Sequence, residues 1–254
     1  MPYRALRSEK GKTLMEKEYL AAIVLSAGRG LRMGADIPKQ YMDLDGRPVI
    51  YYSLKAFEES IVDEIVLVCG AGDEEYVKSE IIEKHGFTKV KKIVSGGKER
   101  FNSVYNGLEA CEDLPEESSG KAPSYVFIHD GARPLITPEM ISKLYEEVKV
   151  KKAVIAACHA KDTVKVADAS GLVKETPDRS SLWQVQTPQV FKYGLIKKAY
   201  EKLIAAGDES VTDDAMVAEK YGEDSVYLCD TGSENIKITT ASDLVIASAL
   251  LKNK

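Results

Sequence analysis

Short apolar runs alternate with helix-like stretches from residue 19 onwards, and this alternation leaves few folds open to the chain. The runs occupy residues 20–25, 64–69, 90–94, 125–128 and 153–158. They are short, β-branched and mostly uninterrupted by polar residues, which is typical of strands that are covered on both faces. Strand, helix and strand in succession form right-handed βαβ units around a mainly parallel sheet. The sequence therefore predicts a single α/β domain of the Rossmann-like, nucleotide-binding type.

Helix signals fill the intervals between these strands. Residues 48–60 begin with proline, which is favoured at the first helical position, and Thr137 can cap a helix over residues 138–150. Further helices are predicted over residues 74–84, 99–110, 193–205, 212–220 and 242–251, with one more strand over residues 225–228. Residues 19–254 are therefore expected to form one domain. Residues 1–18 are expected to be a disordered extension, because this stretch is basic and polar, and Met15 is a second candidate start.

One segment, residues 163–176, breaks the alternation of strand and helix. It contains two short alternating strands around an Asp-Ala-Ser-Gly turn, which predicts a β-hairpin. These strands are too polar for the centre of a sheet. We therefore expect an arm at about residues 160–180 that projects from the body and packs against a second subunit. The alternative is a hairpin lying on the surface of its own domain.

Composition excludes several classes of protein. A net charge of -5 argues against a general nucleic-acid binder, although local cations can still bind small anions. No apolar run approaches the roughly 18 residues that span a bilayer, and the amino terminus lacks the apolar core of a secretory signal. The four scattered cysteines and three histidines form no zinc motif, so buried thiols are expected. A cytoplasmic protein without a membrane partner is the expectation.

A glycine-rich loop follows the first strand over residues 26–34 (SAGRGLRMG), and Pro-Lys-Gln follows it at residues 38–40. Glycines here let backbone N–H groups approach a phosphate. A dinucleotide fingerprint is disfavoured because the third glycine comes one residue late, and the Gly-Lys-Ser/Thr ending of a P-loop is absent. A nucleoside-triphosphate loop carrying the cations Arg32 and Lys39 fits better, while a plain tight turn stays open.

Further polar motifs follow the later strands. Residues 96–100 (GGKER) follow the third strand, and residues 129–134 (HDGARP) follow the fourth. Asp130 can hold Mg²⁺, which proteins bind with one or two carboxylates plus phosphates, and Arg133 can grip an anion through two hydrogen bonds. The alternative is a surface Asp–Arg pair. Lys237 lies in a short β-like stretch, where a phosphate contact is preferred over an exposed strand face.

Taken together these strings resemble the 2-C-methyl-D-erythritol 4-phosphate cytidylyltransferase family. The resemblance runs from about Leu20 to the carboxyl terminus and rests on S-A-G-x-G-x-R-M-G, P-K-Q-Y, G-G-x-E-R, H-D-G-A-R-P, D-R-x-x-L-W, Q-T-P-Q-x-F and N-I-K-I-T. It implies the nucleotide-diphospho-sugar transferase type of fold. It also implies transfer of CMP from CTP to the polyol phosphate in the non-mevalonate route to isoprenoid precursors, with Mg²⁺ as cofactor.

The resemblance implies a role for each matching residue. Arg32 and Lys39 would stabilise charge on the triphosphate, Asp130 would bind Mg²⁺, and Arg179 and Lys237 would hold the acceptor phosphate. The residues that would help to hold it are Arg133, Thr163 and Thr187. The nucleotide would contact Ser26, Ala27, Gly28, Gly97 and Ser103. The family is a homodimer with crossing arms, so Thr163 and Arg179 would serve the partner's site.

This chemistry needs no general base, because the attacking group is a phosphate that is already ionised near neutral pH. Alignment and charge neutralisation do most of the work in such transfers. His129 is therefore expected to make a structural hydrogen bond. The competing functions are a ribitol-5-phosphate cytidylyltransferase, disfavoured by D-R-x-x-L-W, and a non-catalytic nucleotide-binding regulator. The loop spacing also disfavours a dinucleotide-binding dehydrogenase.

Overall fold

The structure is a computed structural model that describes residues 18–28, 37–112 and 122–252. The expected amino-terminal extension lies, up to residue 17, outside the described residues, and so does Arg32. The strands in chain order are β1 (Leu20–Ser26), β2 (Asp43–Leu44), β3 (Arg47–Pro48), β4 (Glu64–Cys69), β5 (Val90–Ser95), β6 (Tyr125–Asp130), β7 (Ala153–His159), β8 (Val166–Ala167), β9 (Val173–Glu175), β10 (Trp183–Lys192) and β11 (Tyr227–Asp230).

A seven-stranded sheet forms the centre of the molecule. Its strand order is β11-β7-β10-β6-β1-β4-β5. Neighbouring strands run parallel except β10, which is antiparallel to both β6 and β7. The predicted mainly parallel sheet is therefore confirmed, with one inserted antiparallel strand.

Strand β10 was missed by the sequence analysis because it does not look like a central strand. It contains Pro188, which lacks the N–H that a ladder needs, among the polar residues Gln186, Thr187 and Gln189. The ladder with β7 breaks its register between Val185 and Gln189, which is how the proline is accommodated. A central strand usually buries apolar side chains. Here polar side chains are buried and are hydrogen-bonded.

Most helices lie where the sequence predicts them, with ends shifted by a few residues at most. They are α1 (Val49–Glu58), α2 (Glu74–Tyr76), α3 (Arg100–Glu112), α4 (Pro138–Lys151), α5 (Tyr193–Ala206), α6 (Asp214–Tyr221) and α7 (Ala241–Leu251). A π-helical stretch, Val77–Glu83, continues α2. Thr137 caps α4 by accepting from the N–H of Met140, as predicted. None of the described helices is long and apolar enough to cross a membrane.

The sheet buries its two faces in separate apolar clusters. Phe57 of α1 and Leu144 of α4 pack on one face, and Leu108 of α3 and Tyr200 of α5 pack on the other. All four are fully buried, and burial of side chains of this size stabilises the fold by roughly 1.5–3 kcal/mol each. All four cysteines are buried and free, as expected. These layers fix the loops that leave the carboxyl edge of the sheet.

The predicted hairpin arm is formed by β8 and β9, which pair antiparallel. Gly171, with φ of +86°, lies in the turn, where a residue without Cβ is favoured. Every residue from 161 to 176 is exposed, so the arm projects from the body instead of lying on its own domain. It carries exposed apolar side chains, among them Leu172 and Val173.

Candidate active site

The two glycine-rich loops meet at the carboxyl edge of the sheet, where β1 and β5 end. A Cβ atom on Gly96 would lie 2.3 Å from the Cβ of Ala27 and 2.9 Å from the Oγ of Ser103. Such distances are too short for any side chain, so only glycine lets the loops approach this closely. Ligands bind outside the carboxyl ends of strands in open α/β sheets, which makes this edge the candidate nucleotide site.

The second loop is folded back onto the start of α3. The N–H of Gly97 donates to the Oγ of Ser103 (3.1 Å), and this hydroxyl donates in turn to the carbonyl of Glu99 (3.2 Å). A Cβ atom on Gly97 would lie 2.3 Å from the Cβ of Asn102. Ser103 therefore fixes the shape of the loop that the sequence assigned to nucleotide binding.

Gln40 fastens the first loop, a role that the sequence analysis did not assign. Its side-chain amide donates to the carbonyl oxygens of Ser26 and Gly28 (3.0 Å for Gly28), and the residue is buried. The Ser26 hydroxyl donates to the carbonyl of Val68 (3.0 Å) and is buried as well. Lys39 immediately precedes Gln40 in a short 3-10 helix, Lys39–Tyr41. The motif Pro-Lys-Gln thus ties a cation to the loop.

Asp130 ends β6 and forms the centre of a cluster of charges. Its Oδ2 accepts from Lys237 Nζ (2.7 Å), and its Oδ1 lies 3.4 Å from Arg100 Nε. Burial alone would raise the pKa of Asp130, but the charges of Arg100, Lys237 and Arg133 outweigh burial and hold the pKa well below its ordinary value. The carboxylate is therefore ionised at any physiological pH. Asp130 and Lys237 are 107 positions apart in the sequence and meet here; the resemblance had assigned them to the metal and to the acceptor phosphate of one site.

Lys237 does not lie in a strand, and this part of the sequence interpretation is wrong. Residues 231–239 form an irregular segment without a ladder partner. Ile238 N–H donates to the carbonyl of Ala132 (2.8 Å), and Arg133 Nη1 donates to the carbonyl of Asn235 (2.7 Å). Single contacts to the loop after β6 replace a β-ladder, and they carry Lys237 to Asp130.

Arg133 holds this segment in place instead of forming the surface pair with Asp130 that was the alternative. Its Nη1 is used on Asn235, while its buried Nε has no hydrogen-bond partner. An unpaired buried donor costs free energy, typically about 1–3 kcal/mol.

Thr187 and His129 form a buried support behind Asp130. The Oγ1 of Thr187 accepts from the N–H of Asp130 (3.0 Å) and lies 3.1 Å from His129 Nδ1. His129 Nε2 lies 3.4 Å from the carbonyl of Arg133, which can only accept, so Nε2 carries the proton and the Thr187 hydroxyl donates to Nδ1. Burial lowers the pKa of His129 to about 3, so the ring is neutral. His129 thus makes structural hydrogen bonds, and the hydroxyl of Thr187 is used in hydrogen bonds to Asp130 and His129.

Arg100 links Asp130 to a second buried acid, a connection that the sequence analysis missed. Its Nη1 and Nη2 bind the two oxygens of Asp214 in a bidentate pair, both at 2.8 Å. Asp214 is fully buried and accepts a further hydrogen bond from the hydroxyl of Tyr200 (2.5 Å). Asp213 caps α6 by accepting from Met216 N–H. The partners Arg100 and Asp214 are 114 positions apart, which hid the pair from the sequence analysis.

Arg179 and Thr163 lie apart from the Asp130 cluster. Thr163 is part of the arm, and Arg179 lies at its base. Arg179 begins a 3-10 turn, Arg179–Ser181, and its Nη1 donates to the carbonyl of Lys161 (3.3 Å). It lines an open depression of about 440 Å³ beside His159, whose ring stacks on Trp183 at 3.7 Å. Within the described part of the chain no hydrogen bond or ion pair joins Arg179 or Thr163 to the Asp130 cluster.

The described residues contain no group of three or more Asp, Glu, His or Cys side chains that could hold a metal ion alone. Asp130 offers one ionised carboxylate at the sheet edge. That donor set fits Mg²⁺, which keeps several waters and takes substrate phosphates as further ligands. A cation delivered with a nucleotide suits this site better than a resident metal would.

Comparison with known proteins gives one consistent family. Residues 20–253 match the family described as 2-C-methyl-D-erythritol 4-phosphate cytidylyltransferase. The enzyme of that name from Lachnospira eligens is 51% identical over 233 residues, which is 91% of this chain and 98% of that protein. The one from Lachnoclostridium phytofermentans is 45% identical over 235 residues, with 92% and 97% covered.

Solved structures agree with this comparison. The crystal structure of 4-diphosphocytidyl-2C-methyl-D-erythritol synthase from Anaerococcus prevotii superposes with a TM-score of 0.78 at 33% identity, covering 92% of this chain and 99% of that one. The 2-C-methyl-D-erythritol 4-phosphate cytidylyltransferase of Francisella tularensis gives a TM-score of 0.72 at 30% identity, with 91% and 99% covered. The family match over residues 20–253 includes the sequence of β10 and of the arm.

Proposed function

The chain belongs to the 2-C-methyl-D-erythritol 4-phosphate cytidylyltransferase family, and we propose that it transfers CMP from CTP to 2-C-methyl-D-erythritol 4-phosphate. A phosphate oxygen of the acceptor attacks the α-phosphorus of CTP, and the bond between that phosphorus and the bridging β-phosphate oxygen breaks. Pyrophosphate leaves, and the product enters isoprenoid precursor biosynthesis by the non-mevalonate route. The observation that carries the proposal is the Asp130 carboxylate, held ionised between two cations beside the paired glycine-rich loops.

The reaction brings two polyanions together, so the enzyme must align them and neutralise their charge. Lys39 and Arg32 would stabilise the triphosphate, Lys39 from its position beside the first loop. Lys237 would contact a phosphate, because its side chain is 36% exposed and its contact with Asp130 leaves other donors of the ammonium group available. The neutral, buried His129 is not needed as a base, since the attacking phosphate is already ionised.

Mg²⁺ would be held by Asp130 together with the phosphates of CTP. When bound, it would neutralise charge on the triphosphate and on the leaving pyrophosphate. Thr187 and His129 fix the backbone of Asp130 for this task, and Arg133 would help to hold the acceptor phosphate by keeping the segment that carries Lys237 in place. Thr187 therefore acts as a positioning residue.

The nucleotide would lie against the backbone of the two loops. The hydroxyls of Ser26 and Ser103 are already hydrogen-bonded within the protein. Base recognition would therefore depend on main-chain groups of Ala27, Gly28 and Gly97. Alanine has only a methyl side chain and glycine has none, so these residues leave the backbone accessible. This arrangement favours a small base and leaves its exact identity to the shape of the loops.

A homodimer would complete the acceptor side of the site. The exposed apolar residues of the arm need a partner surface, since contiguous exposed apolar patches mark interaction sites. In a dimer with crossing arms, Thr163 and Arg179 would reach the Asp130 cluster of the other subunit. We place the enzyme in the cytoplasm, where its four free cysteines would stay reduced.

Pyrophosphate release from CTP and Mg²⁺ tests the proposal, with methylerythritol phosphate and ribitol 5-phosphate assayed side by side. We expect release with methylerythritol phosphate and much slower release with ribitol phosphate. Faster turnover of ribitol phosphate would transfer the proposal to that acceptor. No release with either substrate would leave a non-catalytic nucleotide-binding protein.

A further inference from the structure

Arg100 lies between Asp130 and Asp214 but directs more of its N–H donors to Asp214 than to Asp130. Nη1 and Nη2 both bind Asp214 at 2.8 Å, in the geometry that makes Arg–carboxylate pairs strong. Only Nε faces Asp130, at 3.4 Å from Oδ1. The same guanidinium could otherwise form its bidentate pair with Asp130, whose carboxylate is the only acid that the proposed reaction uses.

Asp214 is well placed to hold this fork. It is fully buried, and the buried hydroxyl of Tyr200 donates to its Oδ1. The start of α6 is fixed by Gln189, whose side chain donates to Asp213 (2.9 Å) and accepts from the N–H of Ala215 (2.7 Å). A buried carboxylate with these supports cannot turn away from Arg100 without leaving charge unpaired, which is strongly unfavourable.

The consequence concerns the metal. A bidentate pair with Arg100 would add two short hydrogen bonds to the one from Lys237, so that three of the roughly four lone-pair sites of the Asp130 carboxylate would be taken. We propose that Asp214 is a positioning residue that holds the guanidinium fork of Arg100 away from Asp130, so that the Asp130 carboxylate stays open to the divalent cation that accompanies CTP. This inference rests on the proposed function.

Asp214 also favours cation binding at Asp130 electrostatically. The bidentate pair neutralises the charge of Arg100, so the cluster repels an incoming cation less than a lone guanidinium would. Lys237 does not block the site in the same way, because it makes one contact to Asp130 and extends from a segment without a ladder. Asp214 thus controls Asp130 without touching it.

Three variants separate this role from a merely structural one. Asp214→Asn keeps the shape but frees Arg100 to close on Asp130. The double variant Arg100→Gln/Asp214→Asn removes the competing cation as well. Asp224→Asn removes the charge of an acid that ion-pairs with Lys152 and, among the described residues, contacts neither Arg100 nor Asp214. It is the matched control.

The measurement is the affinity of the full-length protein for Mn²⁺·CTP and for CTP in EDTA, by isothermal titration calorimetry without an acceptor. We expect Asp214→Asn to bind Mn²⁺·CTP at least about tenfold more weakly, the usual effect of removing a group that orients a metal ligand. CTP in EDTA should bind no more weakly than to the wild type. The double variant should regain most of its affinity for Mn²⁺·CTP, and Asp224→Asn should bind both forms like the wild type.

Unchanged Mn²⁺·CTP binding in Asp214→Asn would overturn the inference, and so would equal weakening of both nucleotide forms. If Asp214→Asn does not fold, the double variant decides: near wild-type binding supports the inference and a tenfold loss contradicts it. The wild type is also assayed for pyrophosphate release. Its failure there would refute the proposed function alone, because the calorimetry needs no turnover.

Discussion

Asp130 and Arg179, at the two ends of the proposed site, have very different surroundings. Asp130 is buried, contacts two cations and is supported from behind by Thr187. Arg179 is exposed, and among the described residues its side chain makes one hydrogen bond, to the carbonyl of Lys161. The nucleotide half of the site, around Asp130, is thus held by many contacts within one chain. The acceptor half, around Arg179, has few contacts within the chain. The proposed dimer would account for this difference, because a partner subunit would complete the acceptor half.

The largest effect is expected on the nucleotide half. Lys39→Ala should lower turnover by about 10²–10³, the usual result of removing one preorganised donor at a developing charge. Its melting temperature should stay close to that of the wild type, because Lys39 begins only a short 3-10 turn. Steady-state kinetics with CTP and thermal unfolding check this. Lys55→Ala, which breaks an exposed ion pair with Glu59, serves as the control and should retain full turnover.

The arm provides the next test. Leu172→Asp places a charge on a side chain that is 60% exposed in the single chain. If the arm is buried in a dimer, the change should weaken association by at least about tenfold, because burial of a leucine contributes roughly 1.5–3 kcal/mol. Sedimentation over a range of protein concentrations measures this. Val150→Asp, at an exposed position near the end of α4, should not change association. Equal behaviour of the two variants would contradict the contrast between body and arm.

A smaller effect, on stability, should come from the support behind Asp130. The pKa of His129 is lowered by burial to about 3, below its ordinary value of 6.5. The unfolded chain therefore binds a proton that the folded chain does not, and stability is full above about pH 6.5 and falls as the pH drops toward 3. Between pH 7 and pH 5 this group should reduce the free energy of unfolding by about 2 kcal/mol.

His129→Gln should remove that part of the pH dependence, whatever its effect on stability at pH 7. Urea unfolding of both proteins at pH 7 and pH 5 gives the comparison. His159→Gln, which changes an exposed histidine at the end of β7, should leave the dependence as it is in the wild type. A wild-type protein that is as stable at pH 5 as at pH 7 would contradict the buried, neutral state of His129.

The features that the sequence predicts well are those encoded locally. Strand β4 has the predicted bounds, and the hairpin was legible from alternation around Gly171. Strand β10 was not legible, because its buried faces are filled by Gln186 and Gln189, and these polar residues become suitable only when distant groups satisfy them. A central strand whose buried side chains are polar lacks the pattern of apolar residues by which strands are predicted from sequence.

The same limit applies to the site. Asp130 and Lys237 were brought together by resemblance between motifs, and the geometry agrees. Arg100 stood in a recognised motif, yet its role depends on Asp214, which the sequence placed only within a predicted helix over residues 212–220. Pairings between distant charges need coordinates, whereas the phosphate-binding loops can be read from their glycines.

The central claim is that the Asp130 cluster of one chain works with the arm of another. Lys237→Ala damages only the first part and Arg179→Ala only the second, and each protein alone should have little activity. After the two are unfolded together and refolded, half of the dimers should be mixed, and each mixed dimer should contain one intact site.

Pyrophosphate release by the refolded mixture is the direct measurement. If the site is shared, activity should return to about one quarter of that of refolded wild type, as expected for random pairing in a twofold dimer. If Lys237 and Arg179 of the same chain work together, every site in the mixture carries a defect. Activity no higher than that of the separate variants would then contradict the account.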